Sequence, residues 1–217
     1  MTLPIWPGII VFASAFGTAA AQKGLTVGQA MGMSVFMFAG ASQMVVIEVW
    51  QDTWSLATIL GATAITAIVN SRSILMGAAV QPWIRGAPQW QNAVTLGLLT
   101  DANWLIGMRY HGQGGRDRGI LLGAGLALWL VWTAATLPGY LAGTLVSEPK
   151  RLGLDLVMPI FFAAMLVPLW RGPRPALPWA IAGIVALAVQ QVWPGYAFII
   201  VGALAGVISG ALLDERA

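Results

Sequence analysis

The sequence predicts an all-α, polytopic integral membrane protein with about eight transmembrane segments, some of them broken or half-inserted. Three observations predict it. First, 58% of the 217 residues are hydrophobic and only 9% are charged. A soluble domain carries about 25% charged residues, so this chain lacks the polar surface to cover a core in water. Second, the apolar residues fall into runs near the ~20 residues a helix needs to cross a bilayer, separated by short polar turns. Third, there are 26 Gly and 11 Trp. Glycine lets helices approach closely in lipid, and tryptophan favours the membrane interface.

The first span runs from about Leu3 to Ala21, with Pro4 and Pro7 near its start, where a missing N–H costs nothing. No basic segment precedes it, so it reads as an uncleaved membrane helix rather than a signal peptide. After Gln22 to Leu25, the run Thr26-Val-Gly-Gln29 matches a capping box. It opens a second span that reaches about Trp50.

The third span covers about Trp54 to Val69 and ends in Asn70-Ser-Arg-Ser73. Ile74 to Trp83 is apolar but too short to cross a ~30 Å core. It reads as an interfacial or half-inserted helix, or as the continuation of a broken third helix. The fourth span runs from about Ala93 to Met108, before the polar loop Arg109 to Arg118. The fifth covers about Gly119 to Leu145, where Pro138-Gly139 bends it or ends its first part. The sixth covers about Leu154 to Trp170, the seventh about Leu177 to Val192, and the eighth about Tyr196 to Leu213.

Residues 1–217 therefore read as one transmembrane domain. Gly28-x-x-x-Gly32, Gly119-x-x-x-Gly123 and Gly202-x-x-x-Gly206-x-x-x-Gly210 each predict a helix-packing face. The basic residues stand singly at span ends, and their distribution favours cytoplasmic termini. The net charge of +3 is therefore a topology signal rather than a nucleic-acid footprint.

Several function classes drop out. There are no cysteines, hence no disulfides, thiolate metal sites or cysteine nucleophile. The single histidine, His111, has no second histidine to share a metal. No serine lies in a nucleophile motif, so nothing resembles an enzyme, and no cofactor is implied. No Walker sequence exists, so this chain does not drive transport with ATP.

What remains is polarity inside apolar spans. Polar groups at membrane depth are costly and persist where they are buried in protein or line a cavity. Interrupted segments of this kind point to the substrate site of a transporter. Phe38-Ala-Gly-Ala-Ser-Gln43 is the first such stretch. Its small residues allow the helix to unwind around Gly40, and Ser42 and Gln43 follow at once. A complete helix with a packing notch is the alternative. Asn70 and Arg72 form the second island; a guanidinium suits a substrate carboxylate, and ordinary snorkelling of Arg72 at a helix end is the alternative. Asp101, with Asn103 two residues on, lies inside the fourth span. It reads either as a ligand for a substrate ammonium or coupling proton, or as a structural partner of Arg72. Glu48 and Asp155 read as structural, the first snorkelling at a span end and the second at a helix N-terminus.

Taken together, Ala15-Phe-Gly-Thr18, Gly24-Leu-Thr26, Phe38 to Gln43, Asn70-Ser-Arg72, Leu99-Thr-Asp101, Trp132 with the Gly139 region, and Gly153-Leu-Asp155 leading to Pro159 form an ordered series. In order and spacing the series resembles the AzlC family of branched-chain amino acid permeases. The resemblance implies export of hydrophobic amino acids across the cytoplasmic (inner) membrane, driven by an ion gradient. It also implies a second, small membrane subunit of the AzlD type. Two positions depart from the family's pattern. Ser73 stands where the family commonly has histidine, and Ala102 where it commonly has glutamate. Both changes remove titratable groups, while Asn70, Arg72 and Asp101 remain for a zwitterion. A non-transporting membrane scaffold and a passive small-solute channel are the competing readings.

Overall fold

In a computed structural model the described residues are 2–51, 53, 55–145, 156, 160, 163, 167, 170, 172–193 and 197–214. Among them the secondary structure is helical, with no strand. The chain is a polytopic membrane protein. Among the described residues four helices are long and apolar enough to cross a bilayer: Leu3–Gln22, Leu56–Ile84, Gly119–Leu145 and Pro173–Val192. The sixth expected span lies largely outside the described residues. The chain forms two compact units, Met1–Asp52 with Val69–Met158, and Thr53–Ile68 with Pro159–Ala217.

The first unit is built on α1 (Trp6–Gln22) and α7 (Gly119–Leu145). Their axes approach closely because three glycines meet backbone rather than side chains. A Cβ on Gly17 would overlap the Thr136 carbonyl, one on Gly139 the Ser14 backbone, and one on Gly143 the Thr18 backbone. Hydroxyls complete the seam. Ser14 donates to the Ala135 carbonyl at 3.2 Å and Thr18 to the Gly139 carbonyl at 2.8 Å. These bonds flank Pro138, where the helix lacks a donor, and α7 continues through it to Leu145. Phe12 and Phe16 then pack on the Trp132 ring, with centroids 5.2 and 6.1 Å away.

The contact that Gly119-x-x-x-Gly123 predicts is made instead by Gly139-x-x-x-Gly143, while Gly123 faces open space. Gly32 faces open space too, and Gly28 meets only the hydroxyl of its own cap, Thr26.

The second and fourth expected spans are broken, and the third continues into the apolar segment after it. The capping box opens α2 (Val27–Gly32) as expected: the Thr26 N–H donates to Gln29 Oε1 at 2.8 Å, and the Gln29 N–H to Thr26 Oγ1 at 3.2 Å. The helix then widens into a π turn, Met33–Met37. Phe38 follows in the left-handed region (φ 37°), and α3 (Gly40–Glu48) starts anew. A non-glycine residue there is strained, a feature that concentrates at functional sites.

The segment Ile74 to Trp83 continues the third helix, one of the readings that its sequence allows. It belongs to α4 (Leu56–Ile84), one helix of 29 residues carrying Pro82 in its last turn. The fourth span is interrupted: α5 (Gln89–Gly97) ends, and α6 (Asp101–Gly112) begins after Thr100. A cluster of Val80, Trp83, Ile84, Leu99 and Leu121 packs the end of α4 with this break and with α7.

In the second unit, α8 (Pro173–Val192) pairs with α9 (Ala197–Asp214). Gly202 and Gly206 press on Ala186 and Ala182, as their spacing predicts. No described residue of α8 is buried, although its side chains are mostly apolar. Lipid rather than a protein core solvates such a helix.

Candidate functional site

The residues singled out from the sequence meet in the first unit, where one turn of α4 touches the start of two half-helices. Asn70 and Arg72 lie near the middle of α4, two residues apart. Their side chains therefore leave the helix about 200° apart and reach different neighbours. Ser42, in the first turn of α3, donates to Asn70 Oδ1 at 2.7 Å. Arg72 reaches the first residue of α6, with its guanidinium 2.9 Å from the Asp101 carboxylate.

The pair is open to its surroundings, with 44% and 38% of the two side chains accessible. Such an ion pair contributes little to stability wherever solvent reaches it. Asp101 also sits in the first turn of α6, at the positive end of the helix dipole. Arg72 brings a planar, permanently charged donor array suited to carboxylates. Chemically, the arrangement holds one cationic and one anionic group side by side, each able to exchange its partner for an opposite charge on a solute.

Asn103 is not part of this group. It is fully buried and stitches the break before α6. Its Oδ1 accepts from the Thr100 N–H at 2.6 Å and the Thr100 hydroxyl at 3.1 Å, while its Nδ2 donates to the Leu98 carbonyl at 2.8 Å. Gly125 of α7 faces its amide, and a Cβ there would collide with Nδ2.

Gly40 is a contact position: a Cβ on it would lie 2.6 Å from Trp132 Cη2 and 3.1 Å from Phe12 Cε1. The aromatic cluster on α1 and α7 thus sets where α3 can begin. Gln43 turns away from Asn70. Its Nε2 reaches Ser34 Oγ over a long 3.5 Å, and Ser34 in turn lies 2.9 Å from Thr136 Oγ1. Gln43 Oε1, Trp132 Nε1 and Thr133 Oγ1 are buried there without hydrogen-bond partners.

Ser34, Thr136 and Trp129 were not legible as site residues. The Trp129 indole donates to the Val35 carbonyl at 3.0 Å and so holds the π turn. A serine nine positions before Gln43 in the same apolar run was the available signal. Among the described residues no group of three or more His, Cys, Asp or Glu is placed to hold a metal.

Comparison with known proteins agrees with this picture. The chain is 28% identical over 212 residues to an uncharacterized membrane protein of Archaeoglobus fulgidus, covering 96% of this chain and 91% of that one. It is 23% identical over 167 residues to an uncharacterized membrane protein of Helicobacter pylori, covering 76% and 71%. No solved structure matches. Residues 4–146 match the model of the AzlC protein family, a stretch that holds both broken helices and the Arg72–Asp101 pair, and the chain belongs to that family.

Proposed function

We propose that the protein is a secondary transporter that exports branched-chain or other hydrophobic amino acids across the cytoplasmic (inner) membrane. One observation carries the reading: the 2.9 Å pair between Arg72, near the middle of α4, and Asp101, at the start of a half-helix. A zwitterion matches both groups at once. Its carboxylate replaces Asp101 on Arg72, and its ammonium replaces Arg72 on Asp101, so no charge is left uncompensated during the exchange. Membership of a membrane permease family supports the same reading, as does a break in the backbone on each side of α4. In this reading the protein is not an enzyme, and a small AzlD-type membrane subunit accompanies it.

The pair also admits a purely structural role, in which the chain is a scaffold and Arg72 and Asp101 only join α4 to α6. Efflux separates the two. In cells loaded with leucine-, isoleucine- or valine-containing dipeptides, expression of the chain with its partner subunit should speed release of the free amino acid. Arg72→Ala and Asp101→Asn should each abolish that release while the protein still inserts. Release at the wild-type rate in both variants would overturn the proposal.

A further inference from the structure

The break between α2 and α3 has an interior side that the Arg72–Asp101 pair does not use. Ser34, Gln43 and Thr136 meet there, each with 0% of its surface exposed. Their hydrogens can be assigned. The Thr136 hydroxyl donates to the Trp132 carbonyl at 2.9 Å. Its hydrogen is therefore engaged, and in the 2.9 Å contact with Ser34 it is Ser34 that donates. Ser34 Oγ in turn accepts from Gln43 Nε2. The chain of donors runs one way, from the Gln43 amide to the Trp132 carbonyl, and every hydroxyl hydrogen in it is used.

Oxygen lone pairs remain. Gln43 Oε1 is buried with no donor in reach, and Ser34 and Thr136 each keep acceptor capacity. A buried carbonyl left in that state is costly and calls for an explanation. The backbone adds to the same imbalance. Ser34 belongs to the π turn, where Phe38 N reaches back to the Met33 carbonyl at 3.3 Å. The last carbonyls of a helix lack intrahelical partners; Val35's accepts from the Trp129 indole, and the end of this half-helix carries partial negative charge.

The Trp132 indole N–H and the Thr133 hydroxyl are buried nearby and reach none of these oxygens, and unmet oxygen acceptors beside a half-helix C-terminus attract a cation. The contributors are neutral oxygens without a carboxylate, and the hard divalent ions Ca²⁺ and Mg²⁺ are characteristically bound through carboxylates. We infer that Ser34, Gln43 and Thr136, beside the carbonyl end of the α2 half-helix, form a site for a monovalent cation such as sodium. Bound there, the ion would tie the π turn to α3 and α7 and so fix the geometry of the break. Its use as the coupling ion rests on the transport reading above; its binding does not.

The test is thermal unfolding of the full chain in lipid nanodiscs, followed by intrinsic fluorescence in sodium, potassium or choline chloride at equal ionic strength. Sodium should raise the wild-type Tm by about 3–5 °C over choline when present at about ten times its Kd. Ser34→Ala, which keeps the volume of the turn nearly unchanged, and Gln43→Leu should lose that shift. Identical wild-type curves in the three salts would overturn the inference, and so would a sodium shift that survives in both variants. Amino acid flux is measured separately. Flux without a sodium shift defeats only this inference, whereas a sodium shift without flux defeats the transport reading and leaves the ion site standing.

Discussion

Ser42 and Asn70, 28 positions apart, are joined by a 2.7 Å hydrogen bond that fastens the first turn of α3 to the middle of α4. Two residues further along α4, Arg72 makes the corresponding link to the first turn of α6. The two polar islands of the sequence are thus one structural feature. A single turn of an unbroken helix braces the restarts of two broken ones.

The Ser42 link can be weighed directly. Ser42→Ala leaves Asn70 Oδ1 without its donor in a half-buried position and should cost about 1–2 kcal/mol. That corresponds to a fall in Tm of about 2–8 °C for a chain of this size. Thermal unfolding in nanodiscs reads it, and an unchanged Tm would show that the bond contributes nothing to holding α3 on α4.

Arg72→Lys separates charge from geometry. Lysine keeps the positive charge but cannot present a planar, bidentate fork. Export should persist at roughly a tenth of the wild-type efficiency, the loss appearing mainly as a raised KM, since about 1.4 kcal/mol of binding is a factor of ten. Dose–response efflux measurements check this. Wild-type KM in the lysine variant would mean that the guanidinium does not hold the substrate carboxylate.

Asn103 is expected to behave as a structural residue. Asn103→Ala removes the acceptor for the Thr100 N–H and the donor to the Leu98 carbonyl, leaving buried backbone groups unpaired at a cost of about 1–3 kcal/mol each. Tm and membrane yield should fall, while KM of the folded fraction stays at the wild-type value. A raised KM with normal stability would place Asn103 among the substrate ligands instead.

The glycines give a paired prediction. Gly139→Ala drives a methyl into the Ser14 backbone and should destabilise the protein by about 2 kcal/mol or more, because backbone has no rotamer to move aside. Gly123→Ala meets open space and should stay within about 0.5 kcal/mol of wild type. Equal effects in the two variants would contradict the α1–α7 seam described above.

Much of this protein was determined by the sequence alone. Few charges and long apolar runs leave only a lipid-solvated helical protein, because water cannot be offered enough polar surface. The capping box at Thr26 and Gln29 was legible because its partners are three residues apart and need nothing else. Gly202 and Gly206 were legible as a packing face for the same local reason. Arg72 and Asp101 stood out because a charge in an apolar span must be compensated, although their order in the chain does not say by what.

Tertiary structure decided the rest. Hydropathy does not decide the breaks at Phe38 and at Thr100, since the small residues around Gly40 suit either an unwound helix or a packing notch, and Thr100, Asp101 and Asn103 suit a continuous helix facing a cavity as well as a break. The breaks exist because side chains from elsewhere hold them: Trp129 on the Val35 carbonyl, and Trp132 against Gly40. The Asn103 stitch before α6 also fits only because Gly125 of α7 leaves room for it. Conversely, Asn70 to Ser73 looked like a helix end and is the middle of α4, because the local polarity is answered by Ser42 and Asp101 rather than by a loop. The glycine face that the sequence marked on α7, Gly119 and Gly123, is not the one that meets α1; Gly139 and Gly143 do. Spacing marks a surface that can be approached, and only the neighbouring helix determines which one is.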